Sequence, residues 1–241
     1  MAASTTILVL LIGMTVTAGA VLILFDWRLT LSGLLLNYIF QALFIAQQQF
    51  IIPDIAIGGR FFSSLIFVKL ITGVAVVLIL AITALTFSRD YGLEDLDEFS
   101  LTELRRAARR AQRAHAMKTR SLGDYLLPTW TLLMAVLASY FLPRVYPLAS
   151  SPGVDFAWYL LMLSGIATLI LAQDVLKIGL GLLLCMSGLD LLYTALAGGV
   201  GIVALGLLSL VTVLLALVIA YLSGLLYGRL KTLDLSEIQR R

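Results

Sequence analysis

The chain has 241 residues, of which 61% are hydrophobic and only 13% are charged, and its mean hydropathy is +1.02. Because a water-soluble domain carries charge on about a quarter of its residues, this composition excludes that class and indicates a protein that crosses a membrane several times. The net charge of +3 does not indicate nucleic-acid binding, since the basic residues follow the pattern of membrane topology.

Seven apolar stretches are long enough to cross a bilayer, whose hydrocarbon core of about 30 Å needs about 20 helical residues. We therefore predict an all-α, polytopic membrane protein with seven transmembrane helices. The first stretch lacks a basic segment before it and is followed directly by another, so we expect a span there and not a signal peptide. The predicted spans are Thr6–Phe25, Leu29–Gln47, Phe61–Phe87, Tyr125–Phe141, Phe156–Ala172, Leu176–Leu196 and Val200–Tyr227.

The basic residues predict the orientation of these spans. Of the 17 lysines and arginines, fourteen fall on the same side as the long loop between spans three and four. The opposite side receives only Arg60 and Arg144, and Lys69 remains inside a span. The positive-inside rule then places the N-terminus outside and the C-terminus inside.

The long loop divides the chain into an N-terminal three-helix unit (1–88), a charged cytoplasmic loop (89–124) and a C-terminal four-helix unit (125–241). Within the loop, Ser100 and Glu103 form a capping-box pattern before a basic amphipathic helix. This helix is suited to an anionic lipid surface or a peripheral subunit, and a plain topology signal remains the alternative. The arginines concerned are Arg105, Arg106, Arg109, Arg110 and Arg113.

The two units share a sequence pattern. Aligning Asp26 with Asp174 places Asp26–Leu36 over Asp174–Leu184, and both segments carry an acid, a basic residue shortly after it and a Gly-Leu-Leu-Leu run. This indicates two parallel three-helix repeats, although leucine-rich segments also match by composition alone.

Two charged residues lie inside predicted spans. Lys69 is eight residues and Asp190 six residues from the outer ends of their spans, so they lie at similar depth. Because a charge in a span costs roughly 2.5–3.5 kcal/mol, such residues are functional candidates, and we hypothesise that the two form a pair. The alternative is that Lys69 extends outward to the headgroups and Asp190 reaches interfacial water, each alone.

The other polar candidates are weaker. Gln41 is a further candidate for a proton or ion path. Four charged residues, Asp26, Arg28, Asp174 and Lys177, fall at the cytoplasmic edge of the membrane, where charge costs little.

Cofactor and catalytic motifs are missing from the sequence. The chain has one cysteine, Cys185, and one histidine, His115, so we expect neither a disulfide, a metal cluster nor a haem. We predict no cofactor and no catalytic centre.

Several segments resemble subunits of known membrane complexes. The stretch Thr168–Gly181 and the ending Thr232-Leu-Asp234 are similar to the K chain of bacterial complex I. The size of the chain and the segment Phe61–Lys69 are similar to component E of hydrogenase-4 and formate hydrogenlyase, a group also related to the C subunit of Mrp antiporters.

This resemblance implies a subunit of a redox-driven membrane arm in the bacterial or archaeal cytoplasmic membrane, next to antiporter-like chains, with Lys69 as the carried-over candidate. The chain departs from the K pattern where Leu183 replaces a helix glutamate, and all its glutamates lie outside the predicted spans. We therefore predict a non-catalytic subunit that contributes to proton or cation translocation. The alternatives are a structural subunit that seals and anchors an antiporter-like neighbour, or a free-standing small transporter.

Overall fold

The computed structural model describes residues 2–24, 26–48, 54–57, 60–90, 122–149, 151–172, 174–197 and 202–230. These residues form seven helices that are long and apolar enough to cross a membrane, together with one short β-hairpin. The prediction of a helical, multi-pass membrane protein is therefore confirmed. The elements are α1 (Ala2–Ile23), α2 (Trp27–Gln47), β1 (Asp54–Ile57), β2 (Arg60–Ser63), α3 (Ser64–Asp90), α4 (Leu122–Val145), α5 (Pro152–Leu171), α6 (Val175–Leu196) and α7 (Ile202–Leu230).

The hairpin corrects the predicted start of the third span. Strands β1 and β2 pair antiparallel, with Asp54 opposite Ser63 and Ile57 opposite Arg60, and α3 begins only at Ser64. Hydropathy alone placed the span start at Phe61, because it does not distinguish an apolar strand from an apolar helix. Lys69 consequently lies five residues into its helix, nearer the end than expected.

Three residues separate α1 from α2 and α5 from α6, and in both cases the last of the three is an aspartate. The Asp26 carboxylate accepts a hydrogen bond from the Arg28 backbone N–H at 3.1 Å, and the Asp174 carboxylate accepts one from the Lys177 backbone N–H at 2.6 Å. Each aspartate thus satisfies a backbone donor at the start of a helix, which has no partner inside the helix itself.

The helices of the two units pack against each other in corresponding pairs: α1 contacts α5, α2 contacts α6 and α3 contacts α7. Helices α2 and α6 are central, with 56% of each span buried, whereas α4 packs on α5 and α1 at the edge and is only 17% buried. Large apolar side chains cover the outer surface, as expected where helices face lipid.

Two glycines occupy matching places in the two units. A Cβ atom on Gly33 of α2 would lie 3.5 Å from the Thr17 carbonyl oxygen of α1, and one on Gly181 of α6 would lie 2.9 Å from the Gly165 carbonyl oxygen of α5. The alignment of Asp26 with Asp174 also places Thr17 over Gly165 and Gly33 over Gly181. Small residues therefore allow both helix pairs to approach closely at aligned positions.

A second contact follows the same alignment. The Asn37 side-chain amide donates to the Met14 carbonyl oxygen at 3.3 Å, and the Cys185 thiol donates to the Met162 carbonyl oxygen at 3.8 Å. Asn37 aligns with Cys185 and Met14 with Met162, so the two helix pairs share their register.

The predicted basic helix falls in residues 91–121, outside the described residues. The same is true of the arginines from Arg105 to Arg113 and of the Thr232-Leu-Asp234 ending.

Candidate functional site

The structure brings the two charged span residues together. The Lys69 ammonium of α3 donates to Oδ2 of Asp190 on α6, and the two form an ion pair inside the helix bundle. Their side chains are 5% and 12% exposed, respectively. The alternative in which each residue reaches headgroups or water alone is therefore not the arrangement observed.

Close packing of α2 and α3 holds Lys69 on the inside of the bundle. Gly73 lies one helical turn after Lys69, and a Cβ atom there would come within 2.7 Å of the Tyr38 Cβ. Only a glycine permits this approach, so the turn that carries Lys69 is kept against α2 and turned toward α6.

Polar side chains from four helices surround the ion pair. On α2 and α6, the Gln41 amide donates to the Ser187 carbonyl oxygen at 2.7 Å, and the Ser187 hydroxyl donates back to Gln41 Oε1 at 2.6 Å. On α3 and α7, the hydroxyls of Thr72 and Ser209 share a hydrogen bond. Gln41 is fully buried. Its partner Ser187 lies one helical turn before Asp190, so the Gln41–Ser187 hydrogen bonds are next to the ion pair.

Two buried polar atoms in this cluster have no hydrogen-bond partner among the described residues: Oδ1 of Asp190 and the hydroxyl of Tyr38. A small cavity beside them leaves about 10 Å³ for the centre of a water molecule. That space is close to the minimum that a single buried water requires, and the lining supplies the several polar groups that such a water needs. The lining residues are Tyr38, Val68, Lys69, Thr72, Ser187, Asp190, Leu205, Ser209 and Thr212.

The arrangement is a poor way to stabilise a fold. Removing two charges from water costs several kcal/mol for each, and their attraction repays this only when the remaining lone pairs are also satisfied. Because Oδ1 of Asp190 has no partner among the described side chains, the carboxylate lacks that compensation. A buried pair retained at such a cost is a functional candidate.

The cluster is local. Among the described residues, no hydrogen bond continues from it to either end of the bundle; the hydroxyls of Thr194 and Thr212 donate only to carbonyl oxygens of their own helices. A longer polar route across the bundle would therefore need groups or water other than those described.

The four predicted membrane-edge charges do not join this site. Asp26 and Asp174 cap helices, and the Arg28 guanidinium lies 5.2 Å from the centre of the Trp27 ring. Lys177 is more enclosed than expected of an edge residue: its side chain is buried, and its ammonium donates to the Leu24 carbonyl oxygen at 3.4 Å.

Sequence reasoning missed Asp155, a buried carboxylate in the first turn of α5. Its Oδ1 accepts hydrogen bonds from the backbone N–H groups of Leu148 and Ala149 and from the Trp158 indole, so it fixes the loop between α4 and α5. The predicted span began at Phe156, four residues after the start of α5 at Pro152, and therefore left Asp155 out. The Ser151-Pro152 pair was an available signal of an earlier helix start.

Tyr38 was also missed, because one tyrosine in an apolar stretch is indistinguishable from a core aromatic. Among the described residues, no three histidine, cysteine, aspartate or glutamate side chains form a group able to hold a metal ion. The chain matches no protein-family model, no curated protein and no solved structure.

Proposed function

We propose that this chain is a non-catalytic membrane-arm subunit of a complex I-like or membrane-bound hydrogenase-like oxidoreductase and contributes to proton or cation translocation. The observation that supports this most is the enclosed Lys69–Asp190 pair, whose second carboxylate oxygen borders a polar cavity of water size. The resemblance to complex I K chains and to component E supplies the kind of assembly.

The pair can couple two charges by electrostatics alone. A proton that reaches Oδ1 of Asp190 neutralises the carboxylate and leaves Lys69 as an unpaired buried cation, which then repels a second cation nearby. A single water between Asp190 Oδ1 and the Tyr38 hydroxyl would complete the hydrogen bonds of both groups and serve as the last step of a proton's route to Asp190. No cofactor takes part in these steps.

Neighbouring chains supply the rest of the route in this proposal. The family glutamate is replaced by Leu183, and the hydrogen bonds of the cluster end inside the bundle. The extensive apolar outer surface suits a chain that is partly covered by antiporter-like subunits as well as by lipid. The basic arginines between Arg105 and Arg113 then serve as a contact for the peripheral arm.

We also infer that the two three-helix units, α1–α3 and α5–α7, are parallel repeats. The aligned aspartate caps, the matched glycines and the Asn37 and Cys185 contacts support this. A further contact is also aligned, but its glycine lies on the opposite helix in each unit. Gly13 of α1 faces the Phe40 ring of α2, and at the aligned positions Leu161 of α5 faces Gly188 of α6. Lys69 and Asp190 thus belong to different repeats, and the site lies where the repeats meet.

Purification tests the assembly. The full-length chain, tagged at its C-terminus and extracted in a mild detergent, is expected to elute with antiporter-like chains and a redox peripheral arm that mass spectrometry identifies. A stable homo-oligomer that contains this chain alone contradicts the proposal and favours the free-standing transporter.

Substitution of the pair tests conduction. In membrane vesicles energised by the electron donor of that peripheral arm, we expect Lys69→Met and Asp190→Asn each to lower ion translocation at least about tenfold. The decisive variant is Lys69→Met combined with Asp190→Leu, which removes both charges and leaves no buried charge unpaired. A conduction role predicts that this double variant assembles but does not translocate ions.

If the double variant recovers full translocation, the pair is only structural and the proposed function is wrong. Arg28→Gln is the matched control, because Arg28 is an exposed cation at the membrane edge and should leave both assembly and transport unchanged.

A further inference from the structure

A second feature lies away from the ion pair, on the outer surface between α1 and α4. It is a groove of about 800 Å³ to which α5 contributes its first turns. Its walls are mainly exposed apolar side chains, among them Leu8 and Val16 of α1 and Tyr140 of α4. Because α2, α3, α6 and α7 carry the polar cluster and α1 and α4 do not, the groove is a separate site.

A cation stands in the lining of this apolar groove. The Arg144 guanidinium, near the C-terminal end of α4, donates to the Tyr140 hydroxyl at 2.5 Å and lies 4.3 Å from the centre of that ring. Among the described residues it forms no ion pair. Since a guanidinium has five N–H donors, Arg144 keeps donors available for an anion.

The length of the groove corresponds to one leaflet of a bilayer. From Leu8 to Val16 on α1, and from Val136 to Arg144 on α4, the helices rise about 12 Å. Half of a hydrocarbon core is about 15 Å, with the phosphates just beyond it. An acyl chain laid along the groove therefore ends at a headgroup beside Arg144.

We propose that this groove binds a glycerophospholipid, with one acyl chain between α1 and α4 and the phosphate on Arg144. Two observations favour a phospholipid as the occupant. Arg144 offers a positive charge to a phosphate, and the apolar groove extends from Arg144 over a length close to that of one leaflet. A bidentate guanidinium–phosphate contact fixes the headgroup, and van der Waals packing of the acyl chain against the groove walls adds affinity.

A neighbouring groove offers a matched control. It lies between α4 and α5, measures about 320 Å³, and its lining contains no charged side chain. Ala167 lies in this second groove as Val136 lies in the first. Arg28, which also stands beside an aromatic ring but outside both grooves, is the control for Arg144.

The test is native mass spectrometry of the full-length protein, purified with any subunits that accompany it, delipidated and titrated with palmitoyl-oleoyl phosphatidylglycerol. We expect one lipid to bind more tightly than the rest, and its dissociation constant to rise about tenfold in Arg144→Gln, the loss of one charge-assisted contact. Val136→Trp, which fills the groove, should remove the site. Arg144→Lys keeps the charge but not the bidentate contact, so it should lose affinity, though less than Arg144→Gln does. Arg28→Gln and Ala167→Trp should bind as the unmodified protein does.

Equal lipid binding by all variants overturns the proposal, as does equal loss in the two controls. A photocrosslinking residue at Val136 supplies a second readout. Crosslinking to phospholipid supports the site, and crosslinking to a protein subunit in place of lipid overturns it. Neither measurement depends on ion translocation, so the lipid site is tested independently of the proposed function.

Discussion

The reciprocal hydrogen bonds between Gln41 and Ser187 show how polar residues inside the bundle are held in pairs. Each side chain is buried, and each satisfies a donor or acceptor of the other residue. In an apolar interior, the loss of one partner costs more than the loss of both, because the remaining polar group is left buried without a hydrogen bond.

We therefore expect Gln41→Leu to lower the free energy of unfolding by about 1–3 kcal/mol, since it strands the Ser187 hydroxyl. Adding Ser187→Ala should recover part of that loss. Thermal unfolding in detergent micelles measures both, with Thr86→Ala as the control, because Thr86 is exposed and bonds only to its own helix at Ile82. A double variant that is less stable by the full sum of the single losses contradicts this account.

Sequence alone could identify the two charged members of the site but not their surroundings. Lys69 and Asp190 stand out because charge inside an apolar span is rare. Tyr38, Thr72 and Ser209 are common residues in membrane helices, and their meeting depends on how α2, α3 and α7 rotate about their axes. Hydropathy carries no information on that rotation when a helix is apolar on every side.

At the scale of helices, close approach of backbones sets the packing of α5 on α6. A Cβ atom on Gly181 would lie 2.9 Å from the Gly165 carbonyl oxygen, whereas one on Gly224 of α7 meets nothing within 4 Å. Backbone cannot move aside as a flexible side chain can, so added volume at Gly181 must separate the two helices.

Gly181→Ala is expected to destabilise the protein by about 1–3 kcal/mol, and Gly33→Ala by less. The difference follows from the space at each site, since the nearest atom to a Cβ on Gly33 is the Ala20 Cβ at 3.3 Å. Gly224→Ala, the control, should be neutral or slightly stabilising because alanine is the better helix former. Unfolding of the three variants in mixed detergent micelles measures this order, and a Gly224→Ala loss as large as that of Gly181→Ala refutes it.

The elements themselves were largely predictable, because a bilayer demands about 20 apolar residues wherever a helix crosses it. The main failure was the β1–β2 hairpin, where the apolar residues around Phe61 belong to a strand. Gly58 and Gly59 separate the two strands in the sequence, and a Gly-Gly pair between β-branched and aromatic residues is a recognised hairpin signal. A mean hydropathy taken over the length of a helix does not detect such a signal, because the signal comes from only a few residues.

At the scale of the whole molecule, the two sites belong to different parts of the bundle. The ion pair lies among the central helices, where α2 and α6 are the most enclosed spans, and the groove between α1 and α4 lies at the edge of the bundle. This separation agrees with the two proposals, which place charge transfer in the interior and lipid binding at the surface. The orientation of the chain in the membrane determines which leaflet would supply the lipid and from which side protons would reach Asp190.

The distribution of basic residues predicts this orientation. Fourteen lysines and arginines lie on the same side as the loop of residues 89–124 and only two lie on the opposite side, so the loop is predicted to be inside. With Cys185 replaced by alanine, we expect a cysteine at Ser150, between α4 and α5, to react with a membrane-impermeant maleimide in intact cells. A cysteine at Ala116, in the long loop, should react only after permeabilisation. Arg144 then faces the outer leaflet, and Lys69 and Asp190 lie nearer the outer surface, because both sit close to helix ends on the Arg144 side. The reverse labelling pattern contradicts the predicted orientation and moves both sites to the cytoplasmic half, while leaving the contacts within each unchanged.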